Sequence, residues 1–272
     1  MRPAPALVLA LAAPVLPAAA QRLAYEGSLS VATGSYFFTA RTTSWMLVTG
    51  IAATAGRVTL RASIPLYLQN TTLLSGSGWG MMPTGGSLGG TVADSGRARH
   101  GWGGMRMPVP ARAVTGYHPA LGDPVAYAGA RLVETFRTSV AVGGAVKFPL
   151  TDTSQFGTGA WDAGATLSAT RWLGGGFVAL DLAFWRLGDL PDLELGDPLT
   201  ASVTLGRRVG TDWIGSVFAT GGTSALEGYP APASIGAVWA RTGAPAWTAS
   251  VALGLTDAAP DLVVALAWRL GR

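Results

Sequence analysis

The chain has 272 residues, of which 49% are hydrophobic and only 12% charged, against about a quarter charged in an ordinary soluble domain. Its formal net charge is +4 and it holds no cysteine, which excludes disulfides, thiol catalysis and cysteine metal sites. Lys147 is the only lysine, and the arginines are scattered singly apart from Arg207-Arg208. Without a basic run, a zinc pattern or an RNP-type motif, nucleic acid is not an expected partner.

The chain opens with the three parts of a secretory signal. Met1-Arg2 is a short positive start, Ala6 to Leu16 an apolar core, and Ala18-Ala19-Ala20 an A-x-A site before Gln21. Pro3, Pro5, Pro14 and Pro17 argue against a membrane anchor helix. The expected mature chain is 21–272.

From Arg57 the chain reads RVTLRASIPLYLQ. Val58, Leu60, Ala62, Ile64, Leu66 and Leu68 share one parity, and Arg57, Thr59, Arg61, Ser63, Tyr67 and Gln69 the other. That is the period of a strand with one apolar and one polar face. The pattern recurs about twelve times from Gly27 onward, in runs long enough to cross a bilayer at a tilt. The predicted spans are 27–38, 43–53, 57–69, 124–134, 138–149, 161–171, 176–187, 198–207, 212–221, 233–241, 246–256 and 261–270.

Connections alternate in length. Short turns are expected at 55–56, 134–138, 172–175, 208–211 and 242–245, with longer loops at 70–123, 150–160, 188–197 and 222–232. Short periplasmic turns, long outer loops and an even strand count describe an antiparallel up-and-down transmembrane β-barrel with both termini in the periplasm. Asp152, Asp189, Asp192, Glu194, Asp197, Glu227 and Asp257 fall in the outer loops; Arg57, Arg137, Arg171, Arg208, Arg241 and Arg272 fall near the periplasmic end. If the apolar parity faces lipid, Arg57, Arg61, Arg131, Lys147, Asp162, Asp181 and Arg269 point into the lumen or lie at its rims. Opposed charges there would set up a transverse field selecting small polar solutes, or would pair and plug the barrel. Trp45, Trp161, Trp172, Trp185, Trp213, Trp239, Trp247 and Trp268 sit mainly near strand ends, as interfacial girdles would; the alternative is ordinary packing in a β core.

Several segments resemble the outer-membrane barrel family named for phenol meta-pathway degradation. Lys147-Phe148-Pro149 is similar to that family's K-x-P strand end. Thr151-Asp152 and Gly157-Thr158-Gly159, followed by Asp162, are similar to its loop and G-[TS]-G…D continuation, and Leu121-Gly122-Asp123 to its strand start. Leu195-Gly196-Asp197-Pro198 echoes Leu121 to Pro124. The resemblance covers residues 121–210 and implies passage of small solutes, hydrophobic or aromatic ones among them.

The sequence carries no recognisable catalytic constellation. Asn70 is the only asparagine, both histidines (His100 and His118) lie in the long loop, and there is no G-x-S-x-G elbow, H-E-x-x-H or histidine pair at metal spacing. No enzyme activity, metal or cofactor is expected; the expected partners are membrane lipid and a small-molecule solute. Three readings stay open: an outer-membrane channel or facilitator, a non-transport structural or binding barrel acting through its long loop at 70–123, and a soluble periplasmic lipid-binding β protein. The sequence leaves open whether the long loop plugs the lumen, and it does not set an oligomeric state.

Overall fold

The computed structural model describes residues 21–84, 115–151, 156–190, 193–243 and 245–271. The signal-peptide assignment and His100 lie outside the described residues. In chain order the strands are β1 (Gln21–Gly34), β2 (Thr42–Ala55), β3 (Val58–Thr71), β4 (Ser75–Gly76), β5 (Met81–Met82), β6 (Thr115–Leu121), β7 (Val125–Glu134), β8 (Thr138–Lys147), β9 (Asp162–Leu173), β10 (Gly176–Arg186), β11 (Leu199–Val209), β12 (Trp213–Gly222), β13 (Ala233–Arg241), β14 (Ala246–Gly254) and β15 (Leu262–Gly271). Each long strand pairs antiparallel with its sequence neighbours, and β1 pairs with both β2 and β15, closing a twelve-strand barrel. Closure leaves no open edge, the condition for a sheet to sit in lipid.

The twelve long strands match the twelve predicted runs closely, with two departures. β1 starts at Gln21 and stops at Gly34, whereas the sequence suggested 27–38. Tyr36-Phe37-Phe38 leave the sheet in a turn in which Phe38 N donates to Ser35 O at 2.8 Å. Both central residues have positive φ, 46° for Tyr36 and 74° for Phe37, a geometry that strains non-glycine residues by about 1–3 kcal/mol each. The three rings are almost fully buried, and that burial offsets the strain.

The second departure is β6. It and β7 form one interrupted strand: β6 pairs with Leu66–Thr71 of β3 and β7 with Val58–Ser63. At the break, Gly122-Asp123-Pro124 turns inward opposite Pro65, a residue with no N–H to leave unpaired. Pro65 O accepts from Gly122 N at 2.8 Å.

The tight turns lie at the end carrying both termini, where Gly56 and Gly174 take φ of 57° and 67°, values that favour glycine. The outward parity is apolar: Leu60, Leu66, Leu68, Val178, Leu180, Val203, Leu205, Val217, Val251, Leu253, Val264 and Leu266 are all exposed. A soluble lipid-binding β protein would bury this parity and solvate the other, so that reading is overturned by the fold. An exposed belt of this extent faces hydrocarbon, and the molecule is a transmembrane barrel of outer-membrane type. Trp213 stacks on Trp239 at 5.6 Å and meets Trp247 edge-on at 4.9 Å, forming a girdle with Trp268 near the short turns. Trp45 and Trp161 mark the opposite end. Trp185 and Trp172 do not join the girdles, because their parity points into the lumen.

Candidate functional site

Buried wall residues identify the lumen. Ser44, Ala52, Tyr67, Gln69, Ala145, Lys147, Asp162 and Trp185 fall on one parity once the strand registers are followed from pair to pair. Lumen aromatics lie flat over glycines of the facing strand: a Cβ on Gly143 would stand 2.2 Å from Tyr127 Oη, one on Gly164 2.6 Å from the Trp185 ring, and one on Gly206 2.4 Å from Phe177. The glycines thus let bulky rings lie close against the wall.

The outer half of the lumen is filled by connecting segments. Leu73, Leu74 and Met82 from the long connection pack with Tyr36, Phe37 and Phe38, with Leu187, Leu190 and Leu195, with Leu226 and Tyr229, and with the wall residues Ala145 and Trp185. Phe37 and Tyr229 meet edge-on at 5.0 Å. Burial pushes the Tyr36 phenol up from its ordinary pKa, with Asp261 adding to the shift. Beside this cluster is a cavity of about 240 Å³ lined by Tyr36, Phe37, Trp79, Met81, Leu226 and Tyr229 among others. It is apolar, aromatic and of small-molecule size.

Below lies a buried ionic cluster. Lys147 Nζ donates to Asp123 Oδ2 at 3.1 Å and to Thr158 Oγ1, and lies 3.2 Å from Asp162 Oδ2. The three charged side chains are at most 2% exposed. The carboxylates also hold connecting segments: Asp162 accepts from Gly78 N at 2.7 Å and Gly188 N at 3.0 Å, and Asp123 from Thr151 N at 2.9 Å. One lysine and two aspartates thereby tie three segments to the wall. Gly76 N adds a bond to Phe156 O at 2.7 Å.

Toward the periplasm the wall is lined by small residues: Ser28 and Ser30, Val48 and Gly50, Ser63, Ser168, Ser202 and Thr204, Ser216, Thr248 and Ser250. A cavity of about 370 Å³ opens there, bordered by Glu26, Arg61 and Arg269. Glu26 sits between the arginines, 3.4 Å from Arg61 Nε and 3.5 Å from Arg269 Nε. Arg61 also lies 5.6 Å from the centroid of Tyr127. Asp181 is exposed on β10, which stands six strands from β1 in either direction. It is therefore four strands from Arg61 on β3 and five from Arg269 on β15.

The residues predicted to line the lumen divide into three groups. Lys147 and Asp162 meet in the buried cluster. Arg61 and Arg269 meet at Glu26, with Asp181 across the barrel. Arg57 and Arg131 lie at the periplasmic rim, where Arg131 pairs with Glu134 and donates to Gly56 O at 2.9 Å, and Arg57 reaches Leu132 O at 3.4 Å. The sequence reading missed Glu26, Asp123 and Thr158 as members of these groups. Strand parity would have found Glu26, two residues before Ser28; the others lie outside regular strands. His118 is on β6 opposite Gln69, and its Nε2 is buried with no hydrogen-bond partner among the described residues.

No family model matches the chain, and no curated protein matches it. Among solved structures, an outer-membrane channel from Pseudomonas putida F1 superposes with a TM-score of 0.65 at 10% identity, over 92% of this chain and 95% of that one. The CymD monoaromatic hydrocarbon channel gives 0.48 at 9% identity, over 93% and 88%. The KdgM porin gives 0.46 at 6%, over 90% and 98%; these two overlays are too loose to carry weight. At such identity the first likeness concerns the fold, and the fold it supports is the outer-membrane barrel.

Proposed function

We propose that this protein is an outer-membrane channel or facilitator for small solutes with an apolar or aromatic body. The observation that carries the reading is the apolar, aromatic cavity at the outer end, set above a lumen lined with small hydroxyl and aliphatic side chains. A site of a few hundred Å³ lined by rings, methionine and proline takes small, largely apolar ligands. The hydroxyl-lined passage beneath offers weak, repeated contacts, so that a solute which enters is able to leave. The resemblance of residues 121–210 to the phenol meta-pathway barrels, and the channel nature of the P. putida structure, point the same way.

Proteoliposomes test the proposal directly. The folded barrel should admit a neutral aromatic such as benzamide faster than glucose. Ala258→Trp, which puts an indole into the outer cavity, should slow benzamide more than glucose. Folded wild-type protein that passes neither solute, or an unchanged preference in the variant, overturns it.

A further inference from the structure

We infer that Arg61 and Arg269, bridged by Glu26, form a binding site for the carboxylate of a small organic anion, so that the preferred solute is an aromatic or aliphatic carboxylate rather than a neutral molecule. The inference rests on the channel reading and adds the charge of the solute to it. The two guanidinium groups share one carboxylate, which leaves the group with a net charge of +1. Each approaches Glu26 through its Nε, at 3.4 and 3.5 Å, distances at the outer limit of hydrogen bonding. Among the described residues, the terminal nitrogens of neither arginine donate a hydrogen bond. The side chains of Arg61 and Arg269 are 48% and 44% exposed, and both border the cavity of about 370 Å³. Their planar forks therefore face open space with donors unspent, the arrangement suited to bidentate capture of a carboxylate. Tyr127 supplies a ring face beside Arg61, and Ser28, Ser63 and Thr248 supply neutral hydroxyls. Asp181, on the opposite wall, repels an anion toward the arginines.

The structural role of an ordinary salt bridge does not account for this arrangement. A half-exposed pair contributes little to stability, and one carboxylate would be matched by one arginine. The second cation has a use only if a second anion visits. Because the contacts are solvent-exposed, capture is weak and reversible, as conduction requires.

The test uses the full mature chain in liposomes, with benzoate and its neutral isostere benzamide as probes, and in planar bilayers under a potassium chloride gradient. Wild-type protein is expected to favour benzoate over benzamide and chloride over potassium, each by about threefold, the factor for one unit charge about 6 Å away in water-like surroundings. In the Arg61→Gln/Arg269→Gln variant the benzoate-to-benzamide ratio should fall to one or below, and the ion preference should turn to potassium. Glu26→Gln, which frees both arginines, should raise the benzoate preference; it also decides the matter should the double variant not fold. Equal benzoate and benzamide flux in wild type, or ratios unmoved in both variants, overturns the inference and leaves the channel reading standing. Absence of flux for either probe in folded wild type is instead the failure of the channel reading.

Discussion

Replacing Lys147 with methionine removes the cation that holds the ionic cluster and keeps most of its volume. Asp123 and Asp162 then remain as two like charges, each at most 2% exposed. They keep their bonds from Thr151, Gly78 and Gly188, but those dipoles do not neutralise two carboxylates. Removing one partner of a buried ion pair costs about 3–5 kcal/mol, and the cost should fall near the upper end because two acids lose their counter-ion. Much of it is relieved if the connecting segments let go and water enters, so the outer half of the lumen should loosen before the barrel ladder does. Two readouts follow: a lower denaturant midpoint by tryptophan fluorescence in detergent, and a larger or noisier single-channel conductance. Adding Asp123→Asn and Asp162→Asn to Lys147→Met should recover at least half of the loss, since the amide oxygens still accept the backbone bonds. A Lys147→Met barrel as stable and as quiet as wild type would refute the role assigned to the cluster.

Four further substitutions probe the lumen and its walls. Val217→Arg places a charge at mid-strand on the lipid face and should destabilise the barrel by about 2–4 kcal/mol, while Ser216→Arg next to it should fold and narrow the lumen; denaturant midpoints in micelles separate them. Gly143→Val drives a side chain into Tyr127, whose Oη would be 2.2 Å from the new Cβ. It should cost about 1–3 kcal/mol and lower conductance by pushing the ring toward the axis. Gly144→Val, on the lipid parity, meets only Gly164 O at 3.5 Å and should leave conductance as it is.

Most of the barrel was legible because a strand between lipid and lumen writes its two environments into alternate residues. Val203, Leu205 and Val217 against Ser202, Thr204 and Ser216 carry that signal plainly. The same parity picked out Arg61, Lys147, Asp162, Asp181 and Arg269 as candidates, although it could not say which of them meet. Contact across the lumen depends on strand registers and on loops, and Asp123 sits at a break where parity has no meaning. Tyr36-Phe37-Phe38 read as more strand because aromatic residues favour strands; their turn exists only through burial against Tyr229 and the long connection. Trp185 looked like a girdle residue for a related reason: a tryptophan near a strand end is ambiguous until the glycine beneath its ring, Gly164, is known. Glu26 was overlooked because the first strand was begun at Gly27, whereas β1 starts at Gln21.

The chain contains no cysteine, so single cysteines give an unambiguous test of the claim that the polar parity lines the solute path. Ser250 faces the lumen and Val251 the lipid, on adjacent positions of β14. A charged, membrane-impermeant thiosulfonate added during single-channel recording should cut conductance stepwise in Ser250→Cys and leave Val251→Cys unaffected. Modification without effect at Ser250→Cys, or an equal effect at both positions, would contradict a conducting lumen bounded by these strands.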